Sequence, residues 1–87
     1  MKAIITTVGK DKVGILSEVS TVCKEQKANI IDVSQTVLDN MFCMIMLVDI
    51  SSAEFDKLSN QLKEVEKSQN LKIHIMHEDI FNSMHII

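Results

Sequence analysis

The chain opens on KAIITTV, a β-branched run that is almost continuously apolar or threonine, the pattern of an interior strand over residues 2–8. Gly9 ends it, and GKDKVG brings a second glycine, Gly14, around a charged turn. From Gly14 the period becomes helical. Ile15, Leu16, Val19, Val22 and Cys23 form one stripe, with Glu18, Lys24, Glu25 and Lys27 on or beside the opposite face. This predicts a helix over residues 14–27 that leaves through Ala28 or Asn29.

NIIDVSQTVLDNMFCMIMLVDI then reads as a hairpin. In its first strand, residues 29–38, simple alternation puts Ile31, Val33, Gln35 and Val37 on one face and Ile30, Asp32, Ser34, Thr36 and Leu38 on the other. Asp39 and Asn40 both tolerate left-handed geometry and suit a two-residue tip. The second strand, residues 41–50, is apolar on both faces until Asp49, so it belongs inside the sheet with the first nearer the edge. SSAEF predicts a helix start, capped by Ser52 or by Ser51 in a capping box with Glu54. Phe55, Leu58, Leu62 and Val65 continue it to about Ser68, where Asn70 is a good terminator. Leu71, Ile73 and Ile75 alternate with Lys72, His74 and Met76, as in a last strand. The remaining residues predict a short helix or turn at about 79–85.

The order β-α-β-β-α-β specifies an α+β fold, a ferredoxin-like βαββαβ sandwich with a four-stranded antiparallel sheet and two helices on one face. The expected strand order is 4-1-3-2, and residues 1–87 read as a single domain. The sheet face without helices carries enough aliphatic side chains that a second subunit, the C-terminal turn or a host domain is expected to cover part of it. Size points the same way: a chain of 87 residues buries only about 64% of its extended surface.

Composition narrows the chemistry. Nine lysines, no arginine and twelve acidic residues give a net charge of −3, which argues against a nucleic-acid surface and removes the bidentate arginine clamp for anions. Cys23 and Cys43 form no CxxC and read as inert thiols. His74 and His77 face opposite sides of a strand, which spoils a metal pair. No activated nucleophile, acid–base pair, cofactor motif or metal ligand set stands out, so the chain reads as a binding module rather than an enzyme. No basic leader precedes a long apolar run, and no stretch of eighteen apolar residues occurs, so neither membrane insertion nor export is expected and the cytoplasm is the expected location.

The turn from Gly9 to Gly14 is the best candidate for a site. It delivers a central strand into a helix N-terminus, whose unpaired N–H groups favour carboxylate or phosphate, while Asp11 is placed to accept a ligand ammonium. Gly14, at the helix start, is expected to be the more demanding of the two glycines.

AIITTVG, GKDKVGIL and ANIIDVSQ, with D-x-x-G followed about fifteen residues later by N-I, resemble the ACT domain. This is the small regulatory domain that binds amino acids in many metabolic enzymes and regulators. The likeness covers essentially the whole chain and is nearest to small bacterial stand-alone single-ACT proteins related to glycine-cleavage repressor-like modules. The resemblance implies a homodimer with a small amino acid or carboxylate held where the loop before the first helix meets the second strand of a neighbouring chain. By position it implies ligand contact from Asp11, Val13, Gly14 and Ile15 on one side and Asn29 and Ile30 on the other. Gly9 stands where related serine sensors have histidine, and Val13 where proline is frequent. The competing reading is a ligand-free protein-interaction or assembly module in which the same turn is only structural.

Overall fold

A computed structural model describes residues 1–10 and 14–80. The elements are β1 (Lys2–Gly9), α1 (Ile15–Glu25), β2 (Asn29–Leu38), β3 (Met41–Asp49), α2 (Phe55–Gln69) and β4 (Lys72–His77). The strands form one antiparallel sheet in the order β2-β3-β1-β4, as the ferredoxin-like pattern requires.

Burial alternates strictly along β1, with Ala3, Ile5, Thr7 and Gly9 buried on the helix side. Their partners on β3 are Val48, Met46, Met44 and Phe42, all buried. Ile15, Val19, Val22 and Cys23 from α1 and Leu58, Leu62 and Val65 from α2 close the core above them. Burying each such aliphatic side chain contributes about 1.5–3 kcal/mol. Thr7 is the polar exception: it is fully buried, and its hydroxyl finds no hydrogen-bond partner among the described residues. Leu16, expected in the α1 stripe, lies at its margin and is exposed.

Four local expectations are corrected. First, β2 carries a bulge: Ile30 pairs with Val48 and Asp32 with Leu47, leaving Ile31 between them. The extra residue turns Ile30 as well as Val33 towards the core and leaves Ile31 half-exposed, so simple alternation fails there. Second, α1 leaves through Lys27, at φ 61°, rather than Ala28 or Asn29. Ala28 N–H donates to Cys23 O at 2.8 Å and Lys27 N–H to Lys24 O at 3.2 Å, a Schellman closure that seats Ala28 in the core. Third, the helix after β3 begins two or three residues later than expected. Its N-cap is Glu54, with no side-chain capping bond, while Ser51 and Ser52 lie in a turn. Fourth, β4 continues to His77. Residues 78–80 are helical, and the rest of the expected C-terminal turn lies outside the described residues. The Asp39–Asn40 tip is as expected, closed by the Leu38–Met41 pair with Asp39 at φ 58°.

The two glycines are constrained differently. Gly14 has φ 82° and open space around its Cβ position, so a side chain there is strained by backbone geometry alone. Gly9 has no such φ, but a Cβ would collide with Leu71 Cδ2 and press on Ile15 Cδ1 at 3.3 Å. Urea melts of a double-mutant cycle separate the two causes. Gly9→Ala is expected to cost about 1–3 kcal/mol in the unaltered chain, and close to nothing once Leu71→Ala has made room. Gly14→Ala is expected to cost about 1–2 kcal/mol in both backgrounds. Additive effects for Gly9 and Leu71 would refute the steric account.

Candidate functional site

Gly14 is the N-cap of α1, left-handed at φ 82° and ψ −10°, and provides no side-chain capping bond. Its carbonyl accepts the first helical bond from Glu18 N–H at 2.8 Å. Ile15 is 3% exposed, so its side chain belongs to the core and only its backbone is left for recognition. Asp11 and Val13 lie outside the described residues.

Asn29 and Ile30 sit at the other end of α1. The eleven-residue helix Ile15–Glu25 lies between them and Gly14, a length of about 16 Å. One chain therefore does not bring the two halves of the expected site together. Asn29 is exposed and lines a depression of ≈ 560 Å³ with Lys24, Lys27, Asp49, Ser51 and Ser52.

That depression has its own ordered geometry. Ser51 N–H donates to Asp49 Oδ1 at 2.8 Å, the Met1 ammonium donates to Ser51 Oγ at 3.1 Å, and Ile50 N–H donates to Met1 O at 2.9 Å. The Ser51 side chain and backbone, then the Met1 ammonium and Lys2, hold the Asp49 carboxyl below its ordinary value. Sequence reasoning missed this group because it assigned the serines to a helix cap. The D-x-S spacing of an Asx turn was the available signal.

The other candidates are quieter. Asp32 is exposed and accepts the N–H of Val33 at 2.9 Å. Burial pushes the Cys23 thiol up to about 11, and its sulfur lies 4.0 Å from Met46 Sδ. His77 lies against the Phe55 ring with centroids 6.2 Å apart and has Nδ1 3.6 Å from the Asp79 carboxylate. His74 stands on the opposite face, paired with Thr6. No group of three His, Cys, Asp or Glu side chains among the described residues is arranged to hold a metal. No helix among them is long and apolar enough to cross a membrane.

The family model for the ACT domain matches residues 2–76. The chain belongs to the ACT domain family. A UPF0237 protein of Clostridium perfringens is 51% identical to it over 89 residues, covering all of both chains. Among solved structures, the ACT domain protein from Streptococcus pneumoniae superposes with a TM-score of 0.82 at 45% identity, covering 93% of each chain. A putative glycine cleavage system transcriptional repressor gives 0.74 at 25% identity, with 85% of this chain matched to 43% of that one. The likeness to single-ACT proteins and to a glycine-cleavage repressor-like protein therefore holds.

In this ACT domain the glycine at position 9 has a packing reason. Leu71 occupies the space that a side chain at position 9 needs.

The Asp49 turn generates a pH test. A carboxyl whose folded pKa is depressed contributes stability above its unfolded value, and that contribution is lost as pH falls through the folded pKa. Asp49→Asn is therefore expected to be less stable than the unaltered ACT domain at pH 6, with the gap closing as pH falls below the ordinary 3.8. Urea melts at pH 6 and pH 3 measure it, and a gap that stays constant would show that the Ser51 bonds do not depend on charge.

Proposed function

We propose that this ACT domain is a small-molecule-binding regulatory module of the cytoplasm that works as a homodimer, with an amino acid or related small carboxylate as ligand. The carrying observation is the separation of the two half-sites. Gly14 and Ile15 lie at the start of α1, Asn29 and Ile30 just beyond its end, and a second copy related by two-fold symmetry supplies what one chain lacks.

The β2 edge offers a route to that arrangement. It is ten residues long, contains neither lysine nor proline, and exposes Ile31, Val37 and Leu38, the last two at 55% and 63%. Such an edge invites another strand. α1 touches β2 and runs opposite to it, so its N-terminus points back towards the Leu38 end. Antiparallel pairing of β2 with its copy directs the Asn29 end of one chain towards the Gly14 end of the other. A zwitterion there has its carboxylate near the N–H groups of Gly14 and Ile15 and its ammonium near Asp11. Val13 adds apolar lining, and Ile30, whose side chain packs on the core, offers its backbone beside Asn29. Ligand then favours the paired state by binding across it.

The second reading is a ligand-free interaction module. It is favoured by the sheet face away from α1 and α2, where Ile45 is 54% exposed at the centre of β3 beside Thr6 and Ser34.

Sedimentation equilibrium is expected to show a dimer at micromolar concentration, and Val37→Lys, at an exposed edge position, to shift it to monomer. A monomer up to about 100 μM in the unaltered protein would exclude the homodimer on the affinity scale of weak association. In calorimetric titrations with amino acids, Asp11→Ala is expected to weaken binding by about 1–3 kcal/mol, and to affect a matched ligand without the amine much less. Equal losses for the two ligands would reject ammonium recognition by Asp11. Failure of every amino acid and small carboxylate to bind would favour the interaction module.

A further inference from the structure

Three lysines from three different elements stand around one cleft, at the end of the domain where β1 stops and β4 starts. Lys10 follows β1, Lys67 lies in the last turn of α2 and Lys72 opens β4. With Glu66 they line a depression of ≈ 510 Å³ whose floor includes Gly9 and Leu71. The whole chain carries −3, so a cleft edged, among the described residues, by three ammonium groups and one carboxylate reverses the sign of the molecule. Glu66 is already engaged, because its Oε2 accepts the Ile73 N–H at 2.7 Å. Lys67 has an ordinary explanation as a cation offsetting the C-terminal pole of α2, but Lys10 and Lys72 do not belong to that helix. The depression at the opposite end is a built-in comparison: it also has two lysines, Lys24 and Lys27, but holds Asp49 among them.

We infer that the Lys10–Lys67–Lys72 cleft binds a small organic anion with two or more acidic groups, carboxylate or phosphate, on a short carbon frame. Ammonium groups contributed by three elements match separated negative charges better than a single one. Lysine acts as a point charge and accepts either acid. The buried Leu71 side chain, seated over a residue without a Cβ, gives the floor an apolar surface for the frame. The volume lies within the range of small-molecule sites. This cleft shares the turn after β1 with the zwitterion site, but it needs neither Asn29 nor a second copy, so the loss of either leaves it intact.

The test is an NMR titration of the ¹⁵N-labelled protein with citrate, 2,3-bisphosphoglycerate and acetate at constant ionic strength. Citrate or 2,3-bisphosphoglycerate is expected to give saturable amide shifts at residues 9–10, 67 and 70–72, and acetate to bind much more weakly. Lys67→Gln with Lys72→Gln, both exposed positions, is expected to weaken binding roughly tenfold. Lys24→Gln with Lys27→Gln is expected to leave it unchanged. The inference is overturned by absent or unsaturable shifts, by equal shifts around Lys24 and Lys27, by acetate binding as tightly, or by binding that survives loss of Lys67 and Lys72.

Discussion

Ala3, Ile5, Thr7 and Gly9 give the central strand β1 one side on which both helices rest, and the rest of the layout follows from it. Because side chains alternate with period two, a slip of one residue would put Ile4, Thr6 and Val8 under the helices instead. The pairing with β3 fixes Val48, Met46, Met44 and Phe42 on the same side, and that with β4 adds Ile75 and Ile73. Two helical stripes spaced at three and four residues then have one surface to meet. The opposite face is left with Ile4, Ile45, Leu47 and Met76, an aliphatic surface against which neither α1 nor α2 packs. The same alternation that builds the core therefore creates the uncovered face.

The elements and their order were legible because each has a long, unambiguous period. The failures cluster where two readings have the same composition. Ile30 and Ile31 are identical, so nothing in the alternation of β2 marks the bulge between them; only the demand of the core for both Ile30 and Val33 does. Lys27 has no side-chain preference for left-handed geometry. It takes it because Ala28 must be buried and the chain has to turn one residue earlier. Ser51 and Glu54 have the spacing of a capping box, yet Asp49 and Met1 engage the backbone of residues 50 and 51 and keep the chain turning until Glu54. In each case a contact distant in sequence overrode a local rule.

Site residues were legible in kind and less so in placement. Glycines bracketing a charged turn marked the N-terminus of α1, and Gly14 is its N-cap. The amphipathic stretch over residues 14–27 already put Asn29 a full helix away from Gly14, and α1 stays helical between them. The lysine cleft was invisible. Lys10, Lys67 and Lys72 are ordinary surface residues in sequence, and only the antiparallel pairing of β4 with β1 brings the end of α2 beside the end of β1.

The two ends of α1 are finished in opposite ways. At the C-terminal end the chain closes on itself: Gln26, Lys27 and Ala28 donate their N–H groups to Val22, Lys24 and Cys23, so the exposed carbonyls of the last turn are largely answered from within. At the N-terminal end the cap is a glycine, which has no side chain to accept the N–H groups of the first turn. Serine or aspartate is the ordinary solution there, and stabilises a helix start over glycine by roughly a few tenths of a kcal/mol. A glycine at that position gives up the side-chain cap and keeps the left-handed geometry that delivers β1 into α1. It also offers the first-turn donors no side-chain acceptor of its own. Such an end favours an acceptor from outside the helix. That asymmetry, rather than any single residue, is the physical reason to look for recognition at the start of α1 instead of along its face.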